Sequence, residues 1–140
     1  MLELLTVLVI AGVISGLSIG KIGAYMTQQR VMRASASITN DLRQAFALAG
    51  RVRQPVRIVI DTTQMMLSIT DRAQTSVMRQ VSLASDFGMH SSNITFYPST
   101  PLEIYPNGLA SDTMAITIQA NGTSRYIRVS RAGMVQVARK

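Results

Sequence analysis

The chain opens with a long apolar run that carries almost no charge. Residues 4–20 read LLTVLVIAGVISGLSIG, which is 17 consecutive uncharged residues, with Glu3 before them and Lys21 after them. A membrane-spanning helix needs about 20 predominantly apolar residues, so this run is at the lower limit. A cleaved secretory signal would add a basic segment before the run and a small-residue cleavage site after it, and the sequence has neither. The pattern therefore predicts a retained transmembrane helix within residues 1–23.

Three glycines in this run share one face of the predicted helix. Gly12, Gly16 and Gly20 are spaced four residues apart. Small residues at this spacing let two helices approach closely in lipid, which indicates a packing face. Glycine is also common in membrane helices without such a role, and both interpretations stay open.

The helical pattern continues through residues 21–50 but becomes amphipathic. Arg30, Arg33 and Arg43 fall outside the apolar stripe. Gly50 is a candidate stop signal, followed by Pro55. No proline interrupts residues 1–50, so a single helix of about 75 Å is expected. The apolar positions recur every three or four residues, and they are Val31, Ile38, Leu42, Ala45, Phe46 and Ala49.

The rest of the chain alternates in the manner of β-strands. The strongest signal is a hairpin in which residues 114–119 and 124–130 flank Asn121 and Gly122. A turn is expected at residues 106–108, and loops are expected at 71–76 and 84–92. The other predicted strands are residues 56–60, 65–70, 77–83, 93–98 and 134–138.

These elements predict an α+β fold. The second half of a long N-terminal helix packs on a small antiparallel sheet, and residues 24–140 form the folded domain. The amphipathic half of the helix requires such a body, because its single apolar stripe must be buried.

Composition excludes several kinds of functional site. The 140 residues include no Cys and one His, His90, so disulfides, thiolate chemistry and multi-histidine metal sites are excluded. Asp61, Asp71, Asp86 and Asp112 have no metal-ligand spacing and are expected to be solvated loop carboxylates. No catalytic arrangement is found, and no metal, cofactor or enzymatic activity is expected.

Glu3 is an unusual residue in such an apolar segment. A carboxylate deep in hydrocarbon costs a few kcal/mol, and less near the interface. Glu3 could lie among headgroups at the positive end of the helix dipole, or pair with a cation of a neighbouring chain, such as an α-amino group. The residues alone leave both interpretations open.

The N-terminal pattern resembles that of type IV pilins and type II secretion pseudopilins. In LELLTVLVIAGVISG (residues 2–16), Glu3 matches the family's glutamate, and Met1 and Leu2 match the two apolar positions before it. Residues 38–61, ITNDLRQAFALAGRVRQPVRIVID, are similar to the GspH/FimT group, as are YPNG at 105–108 and RYIRVSRAGMV at 125–135. The resemblance covers nearly the whole chain and favours a minor subunit.

This resemblance implies a role in filament assembly. The chain would be a single-pass protein of the bacterial inner membrane with its C-terminal domain in the periplasm. Glu3 would neutralise the methylated N-terminal amine of an adjacent pilin. The subunit would sit at or near the tip of a pilus or pseudopilus, help initiate assembly, and depend on an inner-membrane assembly platform. The sequence does not distinguish a secretion system from a pilus.

The chain is basic, with 14 Lys and Arg against 7 Asp and Glu, and a net charge of +7. Its basic clusters are candidate sites for binding a polyanion or a partner. DNA uptake is the alternative function, since some FimT-like members bind DNA through a Gly-Arg-x-Arg motif, where this chain has Gly133-Met134-Val135-Gln136. Anionic lipid, acidic partner pilins and simple solubility also stay open. The clustered residues are Arg51, Arg53, Arg57, Arg125, Arg128, Arg131, Arg139 and Lys140.

Overall fold

A computed structural model describes residues 2–90, 93–98 and 101–139, without the side chains of Leu2, Ile14, Ser15 and residues 17–21. The first element is one continuous helix, α1, Leu2–Val52. At 1.5 Å per residue it is about 75 Å long, as the absence of proline predicted. The prediction that the helix ends at Gly50 was wrong. The helix runs two residues past it, and Arg53 then adopts the left-handed conformation, with φ of 55°, just before Pro55.

The strands form two antiparallel sheets of four strands each. The first sheet has the order β3-β2-β1-β5, with β1 Val56–Asp61, β2 Met66–Asp71, β3 Val77–Ser82 and β5 Leu102–Ile104. The second has the order β4-β6-β7-β8, with β4 Ile94–Tyr97, β6 Met114–Ala120, β7 Thr123–Val129 and β8 Val135–Arg139. The α+β class is confirmed, with the strands divided between two sheets.

The predicted hairpin is present as β6 and β7. The two strands pair from Met114 opposite Val129 to Ala120 opposite Thr123. Asn121 and Gly122 form the turn with φ of 45° and 78°. Both central residues have positive φ, as a type I′ turn requires, and its twist matches that of the strands.

Two short elements differ from the sequence-based prediction. The expected loop at 84–92 begins with a helix, α2, Leu83–Phe87. The Ser82 hydroxyl caps it by accepting from the Ser85 N–H at 3.2 Å, and Gly88 ends it with φ of 62°. Strand β5 was not predicted at all. It has three residues, and it depends on its pairing with β1 rather than on a pattern of its own.

The core lies between the second half of α1 and the two sheets. The stripe predicted on the helix is buried, except that Phe46 is half-buried, while Arg30, Arg33 and Arg43 are exposed as expected. The helical residues with no exposed surface are Val31, Ala34, Ile38, Leu42, Ala45 and Ala49. Among the sheet residues packed with them, all at most 1% exposed, are Ile58, Leu67, Ile69, Ile104, Ile116, Ile118 and Ile127.

A buried ion pair ties the helix to the first sheet. Asp41 lies next to the apolar stripe with its side chain 1% exposed, and one of its carboxylate oxygens is 2.5 Å from Nε of Arg79 in β3. Ser37 donates to its other carboxylate oxygen at 3.5 Å. Arg79 is 43% exposed, so water can solvate its guanidinium but not the Asp41 carboxylate.

This asymmetry predicts unequal effects for the two partners. Arg79→Met leaves a buried carboxylate without its cation and should lower the free energy of unfolding by about 2–4 kcal/mol. Asp41→Asn removes the buried charge and frees a cation that water can solvate, so we expect a loss of only about 1 kcal/mol. Urea unfolding of the two variants followed by circular dichroism measures the difference. Equal losses would contradict this description of the pair.

A second ion pair crosses the edge of the first sheet. Arg57 of β1 lies opposite Glu103 of β5 and donates from its guanidinium to the carboxylate at 2.5 Å. Nε of Arg72 is 3.8 Å from the same carboxylate oxygen. The hydrogen bond from Arg57 lowers the pKa of Glu103, and the charge of Arg72 adds to the effect against the opposing effect of partial burial.

The lowered pKa predicts how stability depends on pH. Because the folded-state pKa of Glu103 is below its ordinary value, the pair stabilises the fold fully above about pH 4.5 and is lost as the pH falls through the folded-state pKa. In Glu103→Gln this part of the acid dependence should be absent. Unfolding free energies measured between pH 3 and pH 6 test this, and identical slopes for the two proteins would contradict it.

Candidate functional site

The first half of α1 stands clear of the folded body. Its large apolar side chains are exposed, from 67% at Leu4 to 55% at Met26. Thr27 contacts the turn between β6 and β7, where its hydroxyl accepts from the Asn121 side-chain amide at 3.5 Å. The exposed apolar residues before Thr27 are Leu4, Leu5, Val7, Leu8, Val9, Ile10, Val13, Ile22, Tyr25 and Met26.

The described glycines of this segment are not covered by any other described part of the chain. A methyl group added at Gly12, Gly16 or Gly23 would meet no atom within 4 Å outside the helix's own backbone. Gly20, the third glycine of the predicted packing face, lies outside the residues whose side chains are described. No described atom of the folded body therefore covers Gly12 and Gly16, and another helix could approach them closely.

Glu3 lies in the first turn of α1 and is exposed. Its backbone carbonyl accepts from the Thr6 hydroxyl at 2.8 Å. No basic side chain lies within ion-pair distance of its carboxylate among the described residues, so a neutralising cation would have to come from another molecule.

The described part of the chain contains no helix that is both long enough and apolar enough to cross a membrane. That part omits the side chains of Ile14, Ser15 and residues 17–21, over which much of the predicted span extends.

The structure divides the predicted basic residues among several surfaces. Arg51 lies in the last turn of α1 and is exposed, as is Arg53, whereas Arg57 is half-buried in its ion pair with Glu103. Arg131 donates to the Ser111 carbonyl at 3.0 Å and lies 4.0 Å from Asp112. Lys140 lies outside the described residues.

Arg125 and Arg128 lie on opposite faces of β7, as the strand period predicted. Arg125 points to the helix side and Arg128 to the exposed side, in line with Tyr126. Arg139 of β8 lies directly across from Arg125 in the register of the two strands, but it lines a pocket with Thr117, Tyr126 and Ala138.

A groove of about 380 Å³ runs between α1 and strands β7 and β8 of the second sheet. We call it the basic groove. It contains Arg43, which sequence reasoning placed only on the solvent face of the helix. Arg43 follows Ser35 and Thr39 at four-residue spacing, and this flank of the helix is the signal that could have revealed it. The residues lining the basic groove are Met32, Ser35, Ala36, Thr39, Asn40, Arg43, Arg125 and Val137.

A second cleft of about 340 Å³ lies between the two sheets and is largely apolar. Its walls include Ile58 and Ile60 of β1, Phe96 of β4 and Met114 of β6. The described residues that line it include no titratable side chain, so it offers no group for acid, base or nucleophilic chemistry.

The loop carboxylates serve the backbone of their own turns. Asp61 accepts from the N–H groups of Thr63 and Gln64 at 2.8 and 3.0 Å. Asp71 accepts from the Thr75 hydroxyl at 2.6 Å, and this bond, with backbone N–H groups nearby, lowers the pKa of Asp71. Among the described residues, no three His, Asp or Glu side chains are placed to hold a metal ion.

Comparison with known proteins finds likeness in structure only. No protein-family model and no curated protein matches the chain. The crystal structure of the type IV minor pilin FimU of Pseudomonas aeruginosa superposes with a TM-score of 0.66 at 19% identity, over 81% of this chain and 92% of that one. A second crystal form of FimU gives 0.62 at 20% identity, over 76% of this chain and 91% of that one.

A protein from a secretion system has the same fold. The minor pseudopilin EpsH of the type 2 secretion system of Vibrio cholerae superposes with a TM-score of 0.60 at 15% identity, over 79% of this chain and 97% of that one. The fold implied by the residues around Glu3 and by the 38–61 segment is therefore confirmed: this chain has the fold of the type IV minor pilins and pseudopilins.

Proposed function

We propose that the chain is a minor pilin or pseudopilin, a structural subunit rather than an enzyme. It inserts in the bacterial inner membrane through residues 1–23, keeps residues 24–140 in the periplasm, and enters a type IV pilus or type II secretion pseudopilus at or near its tip, where it helps initiate assembly. The observation that carries the proposal is the bare apolar half of α1 on a body with the pilin fold.

The exposed apolar side chains would drive both the insertion of the subunit in the membrane and its later packing in the filament. Burying one Leu, Ile or Val side chain is worth about 1.5–3 kcal/mol. The exposed residues of α1 include four Leu, Ile or Val residues in the stretch 7–10 alone, so this surface is strongly unfavourable in water. Lipid would cover it before assembly, and the helices of neighbouring subunits would cover it afterwards.

The open glycine positions support close helix contact in the filament. At Gly12 and Gly16 no atom of the described residues lies where a side chain would be, so a partner helix could approach the backbone there. Gly20 would extend this face by one more turn if the four-residue spacing is used throughout.

Glu3 would direct the order of assembly. Its carboxylate has no cation of its own chain within ion-pair distance among the described residues, and a buried unpaired carboxylate is costly. The methylated N-terminal amine of an adjacent pilin supplies the missing charge. Pairing is favoured at low dielectric and fixes the axial register of the two helices.

The dispersion of the basic residues favours this role over DNA uptake. Arg57 is neutralised by Glu103, Arg131 lies beside Asp112, and Arg128 lies on the face opposite to Arg125. A phosphate backbone would need several of these cations on one continuous surface. Both a pilus and a secretion system remain suitable settings, since FimU and EpsH share the fold.

The role of Glu3 predicts a specific assembly defect. Glu3→Ala and Glu3→Lys should insert in the membrane as the parent does, because the apolar run is unchanged, but their incorporation into filaments should fall by at least about tenfold, which corresponds to a loss of about 1.4 kcal/mol. The measurement is the ratio of this subunit to the major subunit in purified filaments, in cells that express the cognate system.

Asp86→Ala is the matched control, because Asp86 is an exposed carboxylate in α2 of the folded body. It should be incorporated normally. Normal incorporation of both Glu3 variants would refute the proposed role of Glu3.

A further inference from the structure

The basic groove concentrates positive charge without neutralising it. Arg43 enters it from the helix and Arg125 enters it from β7. Like charges that share one groove repel each other, and an anion bound between them would relieve this repulsion.

Most of the described carboxylates contact arginines outside the basic groove or the backbone of their own turns. Asp41 pairs with Arg79, Glu103 with Arg57 and Asp112 with Arg131. Asp61 and Asp71 bind the backbone of their own turns. No carboxylate of a described residue lies within 4.0 Å of a guanidinium nitrogen of Arg43, Arg125 or Arg139.

Arg125 is held in place by the protein around it. Its Nε is buried and the residue as a whole is half-buried, so its side chain is less free to move than that of an exposed arginine. Asn40 lines the same groove and has an exposed side-chain amide that could donate to an incoming oxygen.

The shape of the groove favours an extended peptide over a nucleic acid. Strand β8 is the outer strand of its sheet, so one edge of its backbone has no strand partner. Val137 faces the helix side but is 42% exposed, and together with Met32 and Ala36 it supplies apolar contacts between the arginines. An added strand could pair with β8 and place alternate side chains in the groove. Arg128, on the other face, would not contribute.

We propose that the basic groove binds a carboxylate-bearing segment of a partner protein in extended conformation. Its Asp or Glu side chains would accept from Arg43 and Arg125, while its backbone pairs with the free edge of β8. This site is separate from the apolar half of α1, and the inference holds whether or not the chain assembles into filaments.

The test is a binding measurement with the full chain in nonionic detergent. The probe is a fluorescent peptide that alternates Glu and Thr, and a peptide that alternates Gln and Thr controls for charge. We expect the acidic peptide to bind and to weaken as salt rises. Arg125→Gln and Arg43→Gln should each weaken binding about tenfold, the scale of one charge-assisted contact.

Matched variants separate the groove from the overall charge. Arg128→Gln changes the same strand on its opposite face, and Arg33→Gln changes an exposed arginine of α1 that lines a different pocket. Both should alter the affinity by less than about twofold. Because Arg125 is partly buried, Arg43→Gln at an exposed position keeps the test valid if Arg125→Gln fails to fold.

Several results would overturn the inference. Failure of the acidic peptide to bind at low salt would do so, and so would equal losses in Arg128→Gln and Arg125→Gln. Duplex DNA and inorganic phosphate are tested in parallel. If either binds more tightly than the peptide and loses affinity in Arg125→Gln, the groove takes phosphate rather than a protein carboxylate, and the proposal is wrong.

Discussion

The structure depends on one helix that has to satisfy two different environments. Beyond Thr27, α1 buries a single stripe, from Val31 to Ala49, against both sheets. Before Thr27 it exposes apolar side chains on every described side. A continuous helix makes the two halves one rigid element, because nothing in its sequence interrupts the hydrogen-bond ladder. The body therefore fixes the direction in which the bare half projects.

The charged residues also differ between the folded body and the bare half of α1. In the folded body, carboxylates are used for structure: Asp41 secures the helix to β3, Glu103 joins the edge strand β5 to β1, and Asp61 shapes a turn. Arginines outnumber these acids, and the excess is left in places such as the basic groove. The bare half of α1 has the reverse arrangement, one carboxylate and no cation near it among the described residues. In both places the charge that is not neutralised within the described residues is available to another molecule.

Local patterns allowed much of this fold to be predicted. The stripe of α1 and the β6–β7 hairpin rest on spacing and on Asn121-Gly122, which act over a few residues. Strand β5 and the split into two sheets could not be predicted, because the three residues of β5 pair with β1 across more than 40 positions of sequence. The same applies to the site. Glu3 and the glycines stand out in the sequence, whereas Arg43 and Arg125 meet only because α1 packs against β7. Arg57 looked free in the sequence and is neutralised by a partner that only the sheet register supplies.

The central claim is that the bare half of α1 is covered by lipid or by other helices in the cell. The chain has no cysteine, so single cysteines can be introduced without background labelling. Leu8→Cys and Thr62→Cys place one thiol on the bare helix and one in an exposed turn of the body. In intact inner membranes with the periplasmic face accessible, a membrane-impermeant maleimide should label residue 62 and leave residue 8 unlabelled until detergent and denaturant are added. Equal labelling of the two positions before solubilisation would contradict the account.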